Sequence, residues 1–149
     1  MRLWHYKLIS YLPDRQLIGQ WRELNVIFKR QFRFGLINYV YDYDKEDLEI
    51  YSTLVLQEMI RRNYKFNLNN YNEYFNKSLS REEIKNNMNY HFWDAFYKDP
   101  FIYDHNNEYL TICYYNLREK HLRGQIGFTD EIWNKLDNFY QSEIKEEEK

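Results

Sequence analysis

The residue whose type and position most invite chemistry is Glu23. Leu17, Trp21, Leu24 and Phe28 recur at i, i+4, i+7 and i+11, the stripe of an amphipathic helix. At about 100° per residue Glu23 falls off that stripe, on a polar edge shared with Gln16 and Gln20, and Arg22 lies on the other flank. Two readings fit this pattern: ordinary charges on a solvated helix face, or a carboxylate held for acid–base work beside a cation. Other chemistries lack their residues. There is no glycine-rich phosphate loop, no Cys-x-x-Cys and no His-Glu-x-x-His. His5, His91, His105 and His121 have no metal-ligand spacing and read as structural, so neither a metal site nor a cofactor is expected. Cys113 lies between Leu110 and Leu117 on a helical stripe, as a small buried apolar residue does.

The elements that must position Glu23 are helices. Pro13 suits the first residue of a helix over about 13 to 30. The stretch from Gly35 to Tyr43 reads as an extended connector or short strand. Asp44 is placed to cap a second helix carrying Leu48, Tyr51, Val55 and Met59 on one face, with Arg61 and Arg62 in its last turn and Asn63 in the left-handed turn that ends it. Asn67 to Lys77 reads as irregular. Ser80-Arg81-Glu82-Glu83 has the form of a capping box, which predicts a third helix to about Tyr97 through Ile84, Met88, His91 or Phe92, and Ala95, closed by Pro100. A fourth helix is expected over about 106 to 122 with Leu110, Cys113, Leu117 and His121 on its stripe and Gly124 after it. Thr129 caps a fifth, carrying Ile132, Leu136 and Phe139. The expected fold is all-α: one compact domain over 1–149 of about five helices, with a frayed tail at 143–149.

Composition sets the outer limits. A chain of 149 residues suits one domain with a real core. A lone Cys113 allows no internal disulfide and points to a reducing compartment. The N-terminus lacks a signal-peptide apolar core and no run suits a membrane span, so a cytoplasmic, nucleoid-associated protein without membrane contact is expected. The net charge of −2 does not announce a nucleic-acid binder, but it hides a segregation: acids collect at the C-terminal end, while Arg22, Lys29, Arg30 and Arg33 cluster early. Aromatics make up 20% of the chain, 16 of them Tyr, so rings beyond those needed for a core are available to stack on bases.

Residues 1 to 28 resemble the N-terminus of the phage-type pyrimidine-dimer DNA glycosylases, also called endonuclease V. Leu8, Ser10, Leu12, Asp14, Leu17, Arg22, Glu23 and Leu24 fall on identical residues without a gap, and Trp21-Arg22-Glu23 matches the family's aromatic-Arg-Glu. Glu58 and Arg61-Arg62-Asn63-Tyr64 are similar to the family's second-helix acid and Lys-Arg-Gly-Phe ending. Met1-Arg2-Leu3-Trp4-His5 and Asn38-Tyr39-Val40-Tyr41 resemble segments of bacterial relatives. The resemblance covers about the first 65 residues.

What the resemblance implies is a repair glycosylase and abasic-site lyase that acts on damaged double-stranded DNA through an N-terminal α-amine, with an imine intermediate. Glu23 matches the carboxylate that stabilises the cationic imine and moves the proton, and Arg22 a residue that grips phosphate. The family exposes its amine on a small second residue. Here the bulk of Arg2 hinders removal of Met1, so Met1, with Arg2 beside it, is expected to carry the reaction. Gln16, which replaces a family His near the sugar, joins Arg22, Asn38 and Tyr39 as expected substrate contacts. Leu3 and Val26 replace family arginines that touch DNA. The competing readings are a DNA-binding module that kept the fold without catalysis and a helical protein-interaction module.

Overall fold

In a computed structural model of the chain, the structure describes residues 1–31, 33–89 and 98–147, with 87–89 described by backbone alone. Among the described residues the fold is all-α. A 3-10 helix, Tyr6–Tyr11, leads into α1, Asp14–Arg30. A second 3-10 helix, Asn38–Asp42, precedes α2, Lys45–Arg61. Then follow α3 (Asn69–Phe75), α4 (Arg81–Asn89), α5 (Asn107–Leu122) and α6 (Asp130–Glu147).

Several boundaries follow from the expected signals. Pro13 sits one residue earlier than anticipated, as the cap of α1 with extended backbone, and its missing N–H costs nothing there. Asp44 caps α2 by its backbone, and Asn63 takes the left-handed turn at φ 63°. Ser80 accepts the Glu83 N–H at 3.3 Å and donates its hydroxyl to the Glu83 carboxylate. Ile84 of that helix is buried, whereas Met88, His91, Phe92 and Ala95 fall outside the described side chains. Asn106 caps α5 by accepting from Tyr109 N–H, and Thr129 caps α6 by accepting from Ile132 N–H.

Three expectations are corrected. The connector at 35–43 is not extended: it is a turn followed by the 3-10 helix, tied by Val40 N–H to the Ile37 carbonyl. The Asn- and Tyr-rich stretch contains α3, because Tyr71, Tyr74 and Phe75 pack edge-on or tilted around Phe28 of α1 and make its helical form worth burying. That raises the count of α-helices above the five expected. The tail is helical to Glu147, anchored where Glu143 meets Lys7 at 3.0 Å and where Ile144 packs on the core.

The architecture is organised around α2. Its periodicity predicts one apolar face, yet Asp47, Glu49, Ser52, Thr53, Gln57 and Glu58 are buried as well. It is enclosed by α1, the first 3-10 helix and α4. Most of these buried polar groups find partners, although the Gln57 carboxamide has none among the described residues. Ser52 and Thr53 hydroxyls donate to the carbonyls four residues back at 2.6 and 2.8 Å. Asp47 accepts Phe101 N–H at 2.9 Å and faces Lys98 at 2.7 Å. Helix α1 buries Leu17, Leu24 and Ile27 completely, each worth about 1.5–3 kcal/mol relative to exposure. The pair α5 and α6 closes the other side through Tyr114 stacked on Tyr140, ring centres 3.8 Å apart, with Cys113 fully buried.

The N-terminal arm is threaded through this core rather than lying on it. Leu3, Trp4 and His5 are buried. Tyr109 of α5 donates to the Leu3 carbonyl, and Tyr51 of α2 donates to the Trp4 carbonyl at 2.6 Å. His5 accepts Lys7 N–H on Nδ1, so its Nε2 carries the proton and donates to the His105 carbonyl at 2.8 Å. Burial holds His5 neutral, its pKa lowered to about 4, and His105 is held well below its ordinary value for the same reason. These two histidines therefore fix the arm in place as neutral hydrogen-bonding groups.

Candidate active site

The arm delivers Met1 to the polar edge of α1. Met1, Arg2, Trp4, Gln16, Gln20 and Glu23 line one cleft of about 240 Å³, which Leu36 closes on one side and Asn116 and Lys120 of α5 on the other. Glu23 is half-buried in it. Loss of hydration pushes the Glu23 carboxyl above the ordinary carboxylate range. The positive charge of the Met1 amine, the Arg2 backbone N–H, Gln20 and the Lys120 charge act against that rise without cancelling it. The chain therefore sets a desolvated carboxylate and an α-amine in one solvent-open recess.

Gln20 is the piece that helical periodicity misplaces. It shares the polar edge with Gln16 and Glu23, yet it is buried, because the arm crosses over it. Its Nε2 donates to the Glu23 carboxylate and to the Arg2 carbonyl, both at 3.1 Å. Its Oε1 accepts Trp4 N–H at 2.8 Å and lies 2.9 Å from the Tyr51 hydroxyl, whose single proton is shared between this oxygen and the closer Trp4 carbonyl.

Gln16 is half-buried and donates to Gln125 Oε1 at 2.8 Å, which ties α1 to the turn between α5 and α6. A second, wider recess of about 510 Å³, lined by Arg15, Gln16, Lys120, Arg123 and Gln125, shares Gln16 and Lys120 with the cleft. Three cations, Arg15, Lys120 and Arg123, line it with no carboxylate among the lining residues, against the acidic net charge of the chain. Of these cations Arg123 is paired with Glu119 of α5 at 3.4 Å.

The other expected site residues have distinct placements. Arg22 is exposed on α1, one residue from Glu23 and outside both recesses. The Arg2 backbone belongs to the site, while its guanidinium turns inward to the Tyr109 ring at 5.9 Å. Asn38 is exposed in the first turn of the second 3-10 helix. Tyr39 turns its hydroxyl inward to His105 Nε2 at 2.6 Å, and burial raises the pKa of that hydroxyl, so it is a neutral interior partner. Leu3 is fully buried, which removes it from any surface that DNA touches.

Residues 116, 120, 123 and 125 escaped sequence reasoning. They stand on the polar face of α5 and the turn after it, about a hundred positions from Glu23, and no local spacing connects them to it. Among the described residues no cluster of three or more His, Cys, Asp or Glu is arranged to hold a metal, and no helix is long and apolar enough to cross a membrane.

Residues 1–72, which include the arm, α1 and α2, match the family model described as pyrimidine dimer DNA glycosylase. No curated protein and no solved structure matches the chain. The matched part, just under half of the chain, carries Met1, Gln20 and Glu23, and through it the chain is similar to the pyrimidine dimer DNA glycosylase family.

Proposed function

We propose that the chain is a single-domain DNA-repair glycosylase and abasic-site lyase that attacks damaged double-stranded DNA with the α-amine of Met1. The observation that carries this reading is the shared cleft: amine and half-buried Glu23 carboxylate in one recess, which shares Gln16 and Lys120 with a trough that adds Arg15 and Arg123.

The chemistry follows from these groups. α-Amines ionise about 2.5 pH units below lysine ammonium groups, so far more of an α-amine is free near neutral pH. Its lone pair bonds to the C1′ carbon of the damaged nucleotide. The bond from C1′ to the base breaks, and the base leaves with the electron pair and takes up a proton. The sugar ring opens as the C1′–O4′ bond breaks and O4′ is protonated, which leaves a protonated imine. The Glu23 carboxylate stabilises that cation and removes a C2′ proton. The electrons so released expel the 3′ phosphate and cut the strand. Flipping the target out of the duplex costs least where stacking is already broken, which favours a lesion over intact DNA. The trough would carry the phosphates on one side of the flipped sugar, with Arg22 and Asn38 on the exposed flank.

A duplex carrying one pyrimidine dimer and a duplex carrying one abasic site test this directly. Both are expected to be nicked at the lesion, and an undamaged duplex left whole. Binding without nicking of either would make the chain a DNA-binding module, and nicking of the abasic duplex alone would remove the glycosylase step. Arg22→Ala is expected to weaken binding to the dimer duplex across salt concentrations and to lower the slope of log affinity against log salt by about one. An unchanged slope would make Arg22 ordinary solvated surface.

A further inference from the structure

We infer that Gln20 is a positioning residue that fixes both partners of the reaction, holding the amine-bearing arm and setting the proton affinity of Glu23. The inference rests on the proposed use of Glu23 as the base.

A primary carboxamide has two N–H donors and an acceptor oxygen. At Gln20 all three are committed. One N–H goes to the Glu23 carboxylate and the other to the Arg2 carbonyl, and the oxygen takes Trp4 N–H and a share of the Tyr51 hydroxyl proton, which also points at the Trp4 carbonyl. The four partners also fix which way the amide faces. Turned over, its oxygen would meet a carboxylate and a carbonyl, while its NH2 group would meet the Trp4 N–H. Gln20 is 1% exposed, so no water can stand in for a lost partner.

The bracket therefore couples three elements at one point. Tyr51 anchors it to the central helix α2, Trp4 and Arg2 to the arm, and Glu23 to the next turn of α1. Residue 1 is one peptide away from the Arg2 carbonyl that Gln20 holds. The same amide donates to the carboxylate, which favours its ionised form against the burial that opposes it. A side chain of this kind touches no substrate. It decides where the amine stands and at what pH Glu23 becomes a base.

Two variants separate positioning from simple packing. Gln20→Met keeps the length and removes every polar contact. Gln20→Glu keeps the acceptor for Trp4 and Tyr51 but sets a carboxyl against Glu23, so the pair must share a proton. The measurement is the titration of the Glu23 side-chain carbon by NMR in the full chain, which needs no activity, alongside the pH profile of strand cleavage on abasic-site DNA. Both variants are expected to raise the Glu23 midpoint, Gln20→Glu by about one pH unit or more. The acid limb of the cleavage profile should move with it.

A Glu23 midpoint unchanged in both folded variants would overturn the inference. Loss of the fold in both would assign Gln20 to stability instead. If the midpoint moves but the wild-type chain cleaves nothing, the bracket stands and the catalytic reading fails.

Discussion

Glu23→Gln is expected to yield a folded protein that still binds dimer-containing DNA and cuts it at least about a hundredfold more slowly, the low end of what a positioned general base contributes. The substitution keeps the side chain's size and an oxygen able to accept from Gln20 and from the Arg2 N–H. It also removes a partly desolvated charge, so stability is expected to hold or rise slightly. What is lost is the charge beside the imine and the base for the C2′ proton. The pH profile carries a second signature. Glu23 acts as a base only when ionised, and burial sets its pKa above the ordinary carboxylate range. Wild-type cleavage should therefore fall as pH drops through that raised value, with an acid limb displaced upward from that of a solvated glutamate. The Gln variant should lack this limb. Full cleavage by Glu23→Gln would remove the carboxylate from the mechanism.

Blocking the α-amine is expected to have an effect as large. An N-terminal acetyl group turns the amine into an amide, whose lone pair is delocalised and unable to attack C1′. The cleft holds one other amine, that of Lys120. Lysine side chains in general ionise about 2.5 pH units above α-amines, so lysine attack offers at least about a hundredfold less free nucleophile near neutral pH. Cleavage by the acetylated chain is therefore expected to fall at least about a hundredfold, with binding to the dimer duplex retained, since the trough cations are untouched. Unimpaired cleavage after acetylation would show that another group attacks.

Much of this site was legible in the sequence, and the reasons differ by residue. Glu23 could be separated from the apolar stripe by angle alone, because Leu17, Trp21, Leu24 and Phe28 define the buried face of α1 without ambiguity. Caps at Ser80 and Thr129 act within a few residues, and such local signals survive folding. Gln20 was misjudged because helical periodicity describes only the helix: it carries no information about an arm that crosses the polar edge and buries it. The same blindness hid Asn116 and Lys120, which reach Glu23 only because α5 packs beside the arm through Tyr109. Helix α3 was lost in polar composition, since its stabilising contacts are aromatic rings gathered around Phe28 rather than an aliphatic stripe. The extended reading of 35–43 failed for a related reason. Its Tyr, Val and Ile residues favour strands, but Val40 packs in the helical core and no neighbouring strand exists among the described residues to pair with it.

The central claim is that the chain's own α-amine becomes covalently bonded to the sugar. Borohydride reduces an imine to a stable secondary amine, so incubating the protein with abasic-site duplex and borohydride should trap a protein–DNA adduct. Proteolysis and mass spectrometry of that adduct then identify the bonded residue. The account predicts a trapped complex with the DNA remnant on the N-terminal residue, Met1, and no complex without borohydride. An adduct on Lys120 or any other internal lysine would contradict it.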